Sequence, residues 1–222
     1  VEAGDLQIQF KNTIKILGIY FSNERSASSI EKNWTGRINT LIKHLNQWSK
    51  RDVSIIGKIL VIKTFALSQL IFIMKSLVLP DEVITEVNTL LFSYIWSKKF
   101  NKGRVNDKIK REVMYKNYQS GGLAMLDLAS FQDSILLEWV ESLMSNEEQA
   151  WKTYPKIFFE PLGGRTVFKS RIKMDRFRGL HKIKSSFWRA VLTKWLSHSN
   201  HEVVVLKRSD PINNNNCVRT CR

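Results

Sequence analysis

Apolar and polar positions alternate at the start of the chain, where Leu6, Ile8 and Phe10 are separated by Gln7 and Gln9. After Lys11-Asn12-Thr13 the apolar set resumes with Ile14, Ile16 and then Leu17-Gly18-Ile19-Tyr20-Phe21. A period of two over short runs predicts two strands joined as a hairpin. Gly18, inside the second strand, predicts a bulge or a close backbone approach. From Ile30 the spacing changes to three and four. Ile30, Trp34, Ile38, Leu41, Leu45 and Trp48 predict one face of an amphipathic helix, and Lys43, Lys50 and Arg51 fall largely off it. Trp34 and Trp48 share the apolar face, so they are expected in a core rather than as base-stacking platforms. Ser54 is placed to cap a second helix running to about Leu77, with Ile55, Ile59, Ile62, Ala66 and Leu70 along its buried side. Pro80 ends that pattern. Asp81, Glu82 and Glu86 then load the start of a third helix, where negative charge suits the dipole. Its apolar face is Val83, Val87, Leu90, Leu91, Tyr94 and Ile95, ending near Trp96.

Residues 98–120 are basic and poorly periodic, which predicts a connector with broken helix. Gly121-Gly122 punctuate the chain, and Asp127 is placed to open a helix containing Phe131, Ile135, Leu136, Trp139, Val140 and Leu143. That helix region carries Asp133, Glu138, Glu141, Glu147 and Glu148 and no basic residue, so it is not expected to face a phosphate backbone. Phe187, Trp188, Val191, Leu192 and Trp195 predict a final helix. The fold expected is mainly α: a short N-terminal β-hairpin, a helical bundle and a further helical segment. The divisions expected are 1–22 (hairpin), 23–97 (helical unit), 98–120 (basic connector), 121–200 (C-terminal helical region) and 201–222, a disordered tail containing Asn213 to Asn216 in a row.

Charge changes the picture more than composition does. The 222 residues are 43% hydrophobic, an ordinary globular level, but the formal net charge is +15. It is segregated: residues 30–63 hold seven Lys/Arg against two acids, 98–116 eight against two, and 165–194 ten against one. Patches of this kind point to a polyanionic partner. In 165–194 the basic residues are interleaved with Phe168, Phe177, Phe187 and Trp188. They either bind single strands by stacking and charge or form the basic exterior of a helical domain. The apolar stretch Ile55–Pro80 is interrupted by Lys58, Lys63 and Lys75, leaving an uncharged run too short for the ~20 residues of a membrane span.

Metal and nucleophile motifs are missing. Cys217 and Cys221 form a lone C-x-x-x-C, short of the usual four zinc ligands. His44, His181, His198 and His201 are scattered. There is no P-loop, H-E-x-x-H or G-x-S-x-G. The start, Val-Glu-Ala-Gly-Asp, has no signal-peptide character and no initiator methionine, as expected of a piece of a longer protein inside the cell, in nucleus or cytoplasm.

Six signals occur in order over residues 14–140: Lys15-Ile16-Leu17-Gly18-Ile19, Trp48-Ser49-Lys50-Arg51, Ser54-Ile55-Ile56-Gly57-Lys58, Leu79-Pro80, Phe92-Ser93-Tyr94-Ile95-Trp96 with Lys98-Lys99, and Gly121-Gly122-Leu123 with Asp127. This order resembles the region just after the catalytic palm in reverse transcriptases of non-LTR retrotransposons, the long interspersed element type. The resemblance implies that Lys15, Leu17, Gly18 and Ile19 belong to a primer-grip-like hairpin. The helices after it would be thumb-like, with Lys43, Lys50, Arg51, Lys58, Lys98 and Lys99 contacting a template–primer duplex. It also implies that palm and fingers, the natural neighbours of such a fragment, are missing. Nucleotide addition in such enzymes uses two metal ions held by clustered carboxylates, a paired-Asp motif among them. No Asp-Asp occurs here. The chain is therefore expected to be non-catalytic and to need no cofactor, while a parent polymerase would use Mg²⁺. The expected partner is an RNA–DNA or DNA duplex bound without sequence preference, with no membrane. A stand-alone basic nucleic-acid-binding module, or a basic structural or partner-binding protein, are the alternatives.

Overall fold

The computed structural model describes residues 12–22, 27–97, 106–170 and 172–198, the first four residues of the opening helix by backbone only. An antiparallel hairpin, β1 (Thr13–Ile16) and β2 (Ile19–Ser22), precedes nine α-helices among the described residues. Ile14 lies opposite Phe21, Lys15 opposite Tyr20 and Ile16 opposite Ile19. The stretch that reads as one strand, 14–21, is thus itself the hairpin. Leu17 (φ 48°) and Gly18 (φ 81°) form its turn, both in the left-handed region. Two-residue turns of this hand match the twist of the flanking strands, so Gly18 serves a turn and not a bulge. The strand read over Leu6–Phe10 lies outside the described residues.

Helix α1 (Ala27–Ser49) buries Trp34, Ile38, Leu41 and Leu45, as their three-and-four spacing requires, while Trp48 is half-buried. Ser54 caps α2 (Ile55–Val61), its Oγ accepting from the Gly57 N–H at 3.2 Å. The single helix expected from Ser54 to about Leu77 is interrupted. A π turn, Ile62–Ala66, separates α2 from α3 (Ser68–Met74), and the path bends by 44°. The Leu67 N–H donates to the Ile62 carbonyl, five residues back, and the Thr64 hydroxyl returns to the Leu60 carbonyl at 2.9 Å. Both features open a helix locally. The extra residue turns Leu67 inward beside Ile62, Ala66 and Leu70. Ile55, expected on the buried side, is exposed because it sits one turn before the helix reaches the core at Ile59. No single helix among the described residues is long and apolar enough to cross a membrane, and the bent pair has Ile59, Ile62, Leu70, Ile73 and Met74 buried.

Helix α4 (Asp81–Trp96) closes the first core with Val87, Leu90, Leu91, Phe92, Tyr94 and Ile95; Trp96 is half-buried. Of the basic connector, 98–105 lies outside the described residues. The rest is tied to α4: α5 (Arg111–Tyr115) buries Met114, and the Arg111 guanidinium covers the Phe92 ring at 4.1 Å while pairing with Asp107 at 2.7 Å. Gly122 folds back on this turn so closely that a Cβ would overlap the Lys116 carbonyl.

Asp127 caps α6 (Leu128–Met144) through the Ser130 N–H. This helix is a beam shared by two cores. Leu128 and Ile135 belong to the first, and Leu136, Val140 and Leu143 to the second. The second core is completed by α7 (Thr153–Phe159), α8 (Thr166–Lys169) and α9 (Ser186–His198). Of the acids on α6, Asp133 faces protein and receives Lys194 of α9 at 2.9 Å, while Glu138 and Glu141 are exposed. Lys152 is buried and donates to the Ser145 carbonyl, the Ser145 hydroxyl and the Glu147 carbonyl at 2.7–2.9 Å, holding the chain leaving α6.

Candidate nucleic-acid interface

A two-stranded hairpin alone is marginal in water, so its position must come from α1. Asn33, on the first turns of α1, is buried and behaves as a substitute strand. Its Oδ1 accepts from the Tyr20 N–H and its Nδ2 donates to the Tyr20 carbonyl, each at 2.8 Å. Ile19 beside it is 3% exposed and belongs to the first core. Ile19 is therefore an anchor rather than a contact residue. The anchoring pushes the turn outward, leaving Leu17 82% exposed. A Cβ on Gly18 would lie 3.5 Å from Nη2 of Arg37, so a guanidinium stands beside the turn. Lys15 is exposed with its ammonium 5.1 Å from the Tyr20 ring centre.

Lys43 is exposed on α1, and Lys50 is exposed in the turn directly after it. At 3.6 residues per turn, exposed Lys32 falls within about 20° of both, with about 17 Å of axial rise to Lys43 and about 11 Å more to Lys50. The row lies opposite Trp34, Leu41 and Leu45. Gly36 is on the same face, with open space where a side chain would be. Arg51, two residues past the end of α1, holds its guanidinium over Trp48 at 4.5 Å, and Trp48 in turn leans on Phe65 of the π turn at 5.3 Å. The planar guanidinium is oriented by that contact while the residue stays exposed.

Lys58 does not join this surface. Its Nζ donates to the Ile95 carbonyl at 2.8 Å near the end of α4 and lies 5.6 Å from the Tyr94 ring, so its charge serves the fold. Lys63 is half-buried on the π turn, and desolvation lowers its pKa. Lys98 and Lys99 lie outside the described residues, as do Cys217 and Cys221. Of the interleaved aromatics, Phe168 and Trp188 are buried and Phe177 and Phe187 half-buried, all packed in the second core, which leaves no open stacking platform among those four.

Two residues of this surface, Lys32 and Arg37, were not among those the sequence singled out. Lys32 was findable, because eleven residues are close to three whole turns before Lys43. Arg37 carried no signal, because its importance comes from the hairpin folding back beside it. Among the described residues no group of three His, Cys, Asp or Glu side chains is placed to hold a metal ion. Compared with known proteins, the chain matches no family model, no curated protein and no solved structure.

Proposed function

We propose that this chain is a non-catalytic piece of a non-LTR retrotransposon reverse transcriptase that grips a template–primer duplex through its backbone. The observation that carries the reading is the outer face of α1, where Lys32 and Lys43 stand in a row with Gly36 between them, continued by Lys50 in the turn directly after the helix. A mid-helix glycine costs roughly 0.5–1 kcal/mol relative to alanine. Packing does not demand it at position 36, since nothing lies within 4 Å of its would-be Cβ. Close approach of a ligand's backbone is a reason for its presence. Phosphate contacts from such a row hold a duplex in register without reading bases. A near-A-form RNA–DNA hybrid, with its wide shallow minor groove, suits recognition by shape and backbone.

The hairpin adds a second support. Leu17 is unfavourable twice over, as a non-glycine residue at positive φ and as a large apolar side chain in water. Such a turn, pinned by Asn33 and flanked by Arg37, suits contact with a strand end, which is the primer-grip role the resemblance implies. Nucleotide addition itself is assigned to a missing palm with its own carboxylates and Mg²⁺, in nucleus or cytoplasm.

The test is Gly36→Leu. Helix stability in thermal unfolding should hold or rise, because leucine is the better helix former. Duplex affinity should fall about tenfold, equivalent to ~1.4 kcal/mol, because the new side chain holds the duplex away from the helix. Unchanged affinity with a folded variant would remove the face of α1 from the proposal.

A further inference from the structure

From Arg165 to Lys184 the chain carries eight Lys/Arg against one acid, Asp175. Arg171 lies outside the described residues; Arg165, Lys169, Lys173, Arg176, Arg178, Lys182 and Lys184 are all exposed. The segment is irregular but not loose. Val167, Phe168 and Ile183 are buried, and Met174, Phe177 and Leu180 pack against the second core. Tight 3₁₀ turns close Met174–Arg176 and Leu180–Lys182. The Arg189 guanidinium holds the Ile183 carbonyl through two donors, at 2.6 and 3.2 Å. Phe177 lies so near Gly179 that a Cβ there would come within 2.8 Å of its ring. The result is a ribbon with apolar anchors inside and cations outside.

None of those seven cations makes an ion pair or a side-chain hydrogen bond among the described residues. Like charges fixed close together repel and lower stability. A partner dense in negative charge relieves that repulsion. Single strands are held by charge together with exposed aromatic faces, but Phe168 and Trp188 are buried here and Phe187 is engaged edge-on by Trp139 and Trp188. Anionic membranes select basic faces paired with exposed large apolar side chains. In this ribbon Ile172 alone of the described large apolar residues is exposed. A duplex requires only cations, and offers one charge per about 1.7 Å of axis.

We infer that the ribbon Arg165–Lys184 is a second phosphate-binding surface, independent of α1, that takes double-stranded nucleic acid in preference to single strands. It shares no residue with the α1 row or the hairpin, so either surface can fail while the other stands. The test uses the full chain with Lys173, Arg176, Arg178, Lys182 and Lys184 replaced by Gln, probed by fluorescence anisotropy with a DNA duplex and with one of its strands. The intact chain should bind the duplex more tightly than the strand. In the Gln variant the log–log salt slope for duplex binding should shrink by about 0.9 for each phosphate that is no longer neutralised, with thermal stability held or raised by relief of repulsion. The same reduction should appear when the α1 row is already neutralised. An unchanged slope, equal or tighter binding of the single strand, or an effect confined to phosphatidylserine vesicles with duplex binding intact would each overturn the inference.

Discussion

Trp188→Ala is expected to destabilise the protein by about 3–5 kcal/mol, the range for removing a buried tryptophan. Trp188 is the hub of the second core. Its ring meets Trp139 at 5.8 Å, Phe159 at 5.8 Å and Phe187 at 5.3 Å between centres, all nearly perpendicular. Edge-to-face contacts of this kind add roughly 0.5–1.5 kcal/mol each beyond the area they bury. The cavity left by alanine could not close easily, because Trp139 is also held by its Nε1 donating to the Lys75 carbonyl at 2.9 Å. Urea unfolding followed by far-ultraviolet circular dichroism measures the loss. A cost under about 1 kcal/mol, typical of a surface position, would mean the aromatic cluster does not organise this core.

Asn33→Leu should cost less and act more locally. Leucine keeps the volume but leaves the Tyr20 N–H and carbonyl without the partners they have at 2.8 Å. An orphaned group costs about 1–3 kcal/mol when fully buried, and Tyr20 is half-buried, so the low end of that range applies to each. The hairpin, marginal by itself, should detach from α1 while the helices remain folded. Hydrogen exchange at Tyr20 would then accelerate toward the unprotected rate, with exchange at Leu41 and Leu70 little changed. Retained protection at Tyr20 would show that Ile19 alone holds the hairpin. On the proposed function the same division is expected: the variant should lose any contact of the Leu17 turn with a strand end and keep any salt dependence that the α1 row contributes.

What was legible in the chain was periodic. The spacing of Trp34, Ile38, Leu41 and Leu45 marked a helix, and Pro80 with Asp81-Glu82 marked the start of α4 at Asp81. Asp127 as a cap was legible too, because capping chemistry is local. The π turn was not, since Ile59, Ile62, Ala66 and Leu70 fit a straight helix equally well and the inserted residue shows only in which carbonyl Leu67 chooses. The Leu17-Gly18 turn was hidden because hairpin turns of this hand usually announce themselves with Asn-Gly or Asp-Gly. Contacts between distant residues were the least readable. Lys58 looked like a free cation until α4 brought the Ile95 carbonyl to it, and Asn33 looked like one more polar position on α1 until the hairpin docked there. The aromatics of 165–194 carried two readings, and the second core claimed them.

The role proposed for the outer face of α1 is to neutralise duplex phosphates. Its most direct test is the salt dependence of binding to a B-form DNA duplex, compared between the intact chain and Lys32→Ala/Lys43→Ala/Lys50→Ala. Binding by the intact chain should be weak, about 10⁻⁴–10⁻⁶ M near physiological salt, and should not differ between duplex sequences. The log–log slope should be smaller in the triple variant by about 0.9 for each lysine that meets a phosphate, approaching about 2.7 if all three do. Its thermal unfolding should be unaltered, since all three side chains are exposed opposite the core. An unchanged slope in the folded variant would contradict the claim, as would binding that discriminates between duplex sequences at fixed salt.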